Sequence, residues 1–176
     1  MTLSKAMAQG SNMFVNSYKS LLLFVILLSL LSPTFALAEA RDDIDFILNA
    51  KKPPKGVVFE VVEGKESKLE LALIEINGYI KELNSKHPAL KIAVVSHGTE
   101  QFALLNENKK QFSNTHTKVQ SLVSNDVPVH VCGTHASWYH FEEKDFPAYV
   151  EVSDTGPGQI RDYQRLGYAL IEIDIK

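Results

Sequence analysis

The chain has 176 residues, with 18 Lys and Arg against 21 Asp and Glu, a formal net charge of −3 and a single cysteine, Cys132. A mildly acidic balance gives no electrostatic footprint for nucleic acid or an anionic membrane surface. One cysteine excludes an intramolecular disulfide.

The first 38 residues contain no Asp or Glu, and Lys5 and Lys19 precede an apolar run from Leu21 to Leu31 that only Ser29 interrupts. Pro33 ends the run, and Ala36-Leu37-Ala38 follows as a small-x-small exit. A basic start, a short apolar centre and such an exit form the secretory pattern. A membrane anchor needs about 20 apolar residues, so cleavage is expected rather than anchoring. A start at Met7 or Met13 would change the peptide and not the product. Cleavage leaves 138 residues beginning at Glu39, with a net charge of −5 and no stable membrane anchor. That length suits one domain, and the expected location is periplasmic or secreted.

Residues 39–55 read as a charged lead-in with no chemistry, closing in Lys51-Lys52-Pro53-Pro54-Lys55 and carrying a short amphipathic turn over Asp42–Leu48 on the surface. From Gly56 to the end at 176, one α/β domain is expected. Gly56–Val62 is a β-branched, nearly continuous apolar run that suits a buried strand. Leu69, Ala72, Leu73, Ile76, Ile80 and Leu83 recur at three- and four-residue steps, predicting an amphipathic helix over 66–84. Lys91–Val95 is the second strand. A short helix over 101–105, a polar loop over 106–113 and a helix capped at Asn114 or Thr115 and running to Ser124 follow. The third strand covers 127–131, and a helical stretch then holds Trp138, Tyr139 and Phe141. The fourth strand covers 148–152, a helix 159–166 and a fifth strand 168–173. Five alternations predict a three-layer α/β/α sandwich around a mainly parallel five-stranded sheet.

Such sheets bind ligands beyond the carboxyl ends of their strands. Strand two ends in Ser96-His97-Gly98-Thr99, strand three in Cys132-Gly133-Thr134-His135, and strand four in Ser153-Asp154-Thr155-Gly156-Pro157-Gly158. These turns are expected to share one edge. Glycines there let a backbone approach a ligand, and they equally make tight turns. The Gly156-Pro157-Gly158 turn could cradle an anion at a helix N-terminus. It matches neither a dinucleotide fingerprint nor a phosphate-binding loop, and no cofactor is expected.

Cys132 is the leading candidate. A lone cysteine is often a small buried hydrophobe. In an exported chain it also flags a reactive thiol or an intermolecular partner, and a helix N-terminus beside it favours thiolate. His135 follows three residues later, at a spacing that can bring both side chains together. His130 alternates with Val129 and Val131 and reads as a packed, structural histidine, while His140 is less well placed. Thiolate and imidazole suit copper or zinc, but a complete ligand set is lacking, and no metal is assigned.

In order along the chain stand the Val57-Val58-Phe59 strand, Asn77, Val95-Ser96-His97-Gly98, Val129-His130-Val131-Cys132-Gly133, Gly156-Pro157-Gly158 and Gly167-Tyr168-Ala169-Leu170-Ile171. This ordered set, from about Gly56 to Ile173, resembles the DsrE/DsrF-like family of sulfur-relay proteins. The resemblance implies a compact five-stranded parallel α/β sandwich and subunits that associate as homo- or hetero-oligomers. For members bearing the cysteine it implies transient carriage of sulfur as a persulfide. The acceptor would then be Cys132, with His97 and Gly98 lining the approach. Gly133, His135, Gly156 and Gly158, read from their places at the strand ends, are the further candidate binding residues. Sulfur donor and acceptor proteins would be its partners. The alternative is a non-catalytic module that holds a metal ion or small ligand at the Cys132/His135 edge.

Overall fold

The structure, a computed structural model, describes residues 40–176. The expected signal peptide and its cleavage site lie outside the described residues. Among the described residues no helix is long and apolar enough to cross a membrane.

The elements are α1 (Ala40–Asn49), β1 (Gly56–Val61), α2 (Ser67–Lys86), β2 (Lys91–Ser96), α3 (Ser113–Ser124), β3 (Val129–Cys132), α4 (Gly133–Trp138), β4 (Glu151–Ser153), α5 (Gly156–Arg165) and β5 (Tyr168–Ile173). Short 3-10 turns cover Thr99–Leu104, Asn106–Asn108 and Glu143–Asp145. The five strands form one sheet in the order β4-β3-β2-β1-β5, and every pairing is parallel. This is the α/β/α sandwich that the alternating pattern predicts.

The two faces of the sheet are unequal. Val57, Phe59 and Val61 of β1, with Ile92, Val94, Val129, Val131, Ile171 and Ile173, point into the larger core. Leu69, Leu73, Ile76 and Leu83 of α2 and Val119 of α3 cover them. On the other face Val58, Ala93 and Val95 meet Ile160 of α5, with Tyr163, Tyr168 and Leu170 packed around. Successive residues of a strand alternate between faces, so β1 and β2, buried on both sides, carry the continuous apolar runs seen in the sequence.

Several boundaries move. The expected surface turn over Asp42–Leu48 is a full helix, α1, whose Ile44 and Ile47 are buried in the larger core. The short helix expected over 101–105 is a 3-10 turn that starts two residues earlier. α3 begins at Ser113 behind Phe112 and has no side-chain cap. Asn114 and Thr115 therefore sit inside the helix, and Thr115 is fully buried. α5 begins at Gly156 rather than 159, because Thr155 caps it and Pro157 sits in its first turn, where a missing N–H costs nothing.

Candidate functional site

β2, β3 and β4 are adjacent, so the three turns singled out in the sequence meet at one edge. Cys132 ends β3 and is the N-cap of α4. Its Sγ accepts the backbone N–H of His135 at 3.3 Å, a sulfur doing what a Ser or Asp oxygen does at most helix starts. Its own backbone N–H donates to Gln101 Oε1 at 2.7 Å. The residue is only 5 % exposed. Gly133 follows it and packs against the backbone of Ser153 on β4.

Cys132 and His135 come together through the histidine's backbone and not through its ring. The His135 ring turns toward β2, where Nδ1 lies 2.8 Å from the carbonyl oxygen of His97. A carbonyl only accepts, so neutral His135 carries its proton on Nδ1 and leaves a lone pair on Nε2. Phe102, Trp138 and Tyr139 surround that ring at centroid distances of 5.3–5.4 Å. Phe102 is buried and Phe141 packs beside it, whereas Trp138 is 71 % and Tyr139 51 % exposed. The edge that holds the cysteine thus carries an open aromatic surface.

The His97 side chain goes to the α5 face. Its Nε2 lies 2.6 Å from Glu60 Oε1, and its ring packs directly on Gly156. A Cβ at position 156 would fall 2.4 Å from His97 Cβ, so this glycine is what lets α5 approach β2. Gly98 is buried and its N–H donates to Glu100 Oε1 at 3.0 Å. Glu100 is fully buried. It also accepts from Ser96 Oγ at 2.7 Å and from the Glu63 backbone N–H at 2.6 Å. Burial pushes its carboxyl above the ordinary value, and those three donors pull it back. Gly158 is not free to bind an anion: its N–H donates to Thr155 Oγ1 at 3.1 Å.

His130 is the structural histidine expected from its place in the strand. Nε2 lies 2.8 Å from Tyr163 Oη on α5, and Nδ1 lies 3.1 Å from Ser153 Oγ and 3.4 Å from Glu151 Oε2. Burial lowers its pKa against the pull of Glu151, and burial raises that of Tyr163 to about 12. His140 is exposed beyond α4, with φ +65°. Among the described residues no group of three or more His, Cys, Asp or Glu side chains stands together to hold a metal ion.

Sequence reasoning missed Gln101, Glu100 and Glu60. Gln101 is fully buried beside Cys132, and its Nε2 has no hydrogen-bond partner. No signal in the sequence singles them out: Glu100-Gln101 stand directly before the apolar Phe102-Ala103-Leu104-Leu105 run, where two polar residues look like a solvated first turn.

No curated protein sequence matches this chain. A protein of unknown function, MTH1491 from Methanobacterium thermoautotrophicum, is similar in structure, with 23 % identity and a TM-score of 0.54 over 66 % of this chain and 97 % of that one. The ychN protein from E. coli aligns with 16 % identity and a TM-score of 0.48 over 67 % of this chain and 99 % of that one. The model of the DsrE/DsrF-like family matches residues 56–173, a span that runs from the first residue of β1 to the last of β5 and takes in the whole Cys132 edge. The chain belongs to the DsrE/DsrF-like family.

Proposed function

We propose that this protein is a sulfur carrier that accepts sulfane sulfur on Cys132 as a persulfide and passes it on. Family membership supports a sulfur-relay-related role. The observation that carries the finer reading is the seat of Cys132: the lone thiol stands at the carboxyl end of β3, and the His135 N–H is directed at its sulfur. That N–H fixes the direction in which the sulfur projects, and the thiolate is the form that attacks. In the step proposed, the Cys132 sulfur attacks the outer sulfur of a donor persulfide, R–S–SH. A new S–S bond forms at Cys132, the donor's S–S bond breaks, and R–SH leaves with the thiol's proton. Products are Cys132–S–SH and R–SH, with no net oxidation. The aromatic surface of Trp138 and Tyr139 around the His135 ring, at the same sheet edge, supports docking of donor, acceptor or a second copy of the chain, since aromatics are enriched in such contacts. The reading includes export, with the chain beginning at Glu39 after cleavage.

Intact mass of protein recovered from an exporting host tests both parts. The chain should begin at Glu39. After incubation with a small persulfide donor it should gain one sulfur that reductant removes, and Cys132→Ala should gain none. A wild-type thiol that takes up no sulfur would overturn the carrier reading, and retention of residues 1–38 would overturn export.

A further inference from the structure

Gln101 is a fully buried amide with one half used and the other half unpaired. Its orientation is fixed. The Cys132 backbone N–H can only donate, so the atom facing it at 2.7 Å is Oε1, and Nε2 cannot be exchanged into that place. The two amide atoms are about 2.2 Å apart by covalent geometry. An N–H2 group without an acceptor is therefore held within roughly 5 Å of the Cys132 backbone nitrogen. Buried donors in folded proteins are nearly always satisfied, and an exception calls for an explanation.

We infer that Gln101 Nε2 is the donor for the outer sulfur of a Cys132 persulfide. This rests on the carrier reading and adds a binding residue to it. An S–S bond extends the cysteine side chain by roughly 2 Å, and the terminal sulfur of an ionised persulfide is an anionic acceptor. An N–H suits that acceptor and opposes a metal cation, which needs lone pairs. The arrangement divides the work between the two ends of one amide. Oε1 holds the backbone from which the thiol projects, and Nε2–H stabilises the sulfur once it arrives. The charge-assisted hydrogen bond forms only in the loaded state, so it favours retention of the cargo without tightening the empty thiol.

The test loads the purified protein with inorganic polysulfide at neutral pH and follows the Cys132–S–SH mass over time in wild type, Gln101→Glu and Gln101→Met. Glutamate keeps an oxygen for the Cys132 N–H and replaces the donor, whereas methionine removes both. The persulfide lifetime should fall about ten-fold or more in both variants. Loss in Gln101→Met alone would reduce Gln101 to a backbone anchor and overturn the inference. A second readout needs no variant: the Gln101 side-chain N–H2 signals in 15N-resolved NMR of the wild type should move downfield on loading. Unmoved signals in a protein carrying the extra sulfur would overturn the inference and leave the carrier reading standing. A wild type that takes no sulfur overturns both.

Discussion

Glu100 does more structural work at the edge than any residue named from the sequence. Its two oxygens receive Ser96 Oγ, the Gly98 N–H and the Glu63 N–H, which ties the ends of β1 and β2 together beneath His97. All three are donors, so an acceptor-only carboxylate fits and an amide does not. Glu100→Gln turns one oxygen into an N–H2 that meets a donor. The expected loss is about 1–3 kcal/mol of unfolding free energy, the range for a buried polar group left unsatisfied, measured by urea denaturation. A variant as stable as wild type would mean that Glu100 is protonated and already presents a hydrogen. Legibility at this scale divides by environment. Cys132, His97 and Gly133 could be found because strand ends are where such folds carry chemistry. Gln101 and Glu100 could not, because in a helical reading two polar residues ahead of an apolar run look like a solvated first turn. Only the 3-10 geometry of 99–104 turns them inward.

At the scale of elements, the alternation of strand and helix is readable because β1 and β2 carry β-branched runs, β5 opens on the apolar run Tyr168–Ile171, and α2 carries an unbroken apolar stripe. The chain order of the sheet was not readable, since pairing partners depend on tertiary packing. α1 differs from the expected surface turn for a related reason: Ile44 and Ile47 form so short a stripe that only its burial in the larger core distinguishes it from a surface turn. α5 presents the opposite case. Among the described helices it alone packs on the Val58, Ala93, Val95 face, and Ile160 is its one buried large side chain there. Ile160→Ala should cost about 2–4 kcal/mol, the usual range for truncating a buried isoleucine. The loss should also loosen the Gly156–His97 contact, and amide hydrogen exchange should quicken in α5 while the α2 side of the sheet keeps its protection. Equal loss of protection on both faces would show that the two layers unfold as one unit and would overturn the element-scale picture.

The molecule as a whole buries titratable groups on both faces, and their linkage to folding has opposite signs. His130, on the α5 face, has its pKa lowered from 6.5 by burial, against Glu151. His116, in the larger core against Ala103 and Tyr149, is lowered by burial and by Lys109. In the unfolded chain each takes a proton near 6.5, while the native state resists. Below 6.5 the unfolded state therefore binds more protons, and stability rises with pH up to that value and then levels. Glu100 runs the other way. Its carboxyl is raised above 4.5, so from 4.5 upward the unfolded state releases its proton first and stability falls with rising pH. A single stability curve sums the two contributions and does not assign them. Substituting one group separates them. His130→Gln keeps a hydrogen-bonding side chain for Tyr163 and removes the titration. The difference in unfolding free energy, wild type minus variant, should increase as pH climbs toward 6.5 and stay flat above it, as read from urea midpoints across that range. A difference that is constant with pH would mean that His130 titrates alike in the folded and unfolded chain, and its contacts with Tyr163, Ser153 and Glu151 would then act through packing alone.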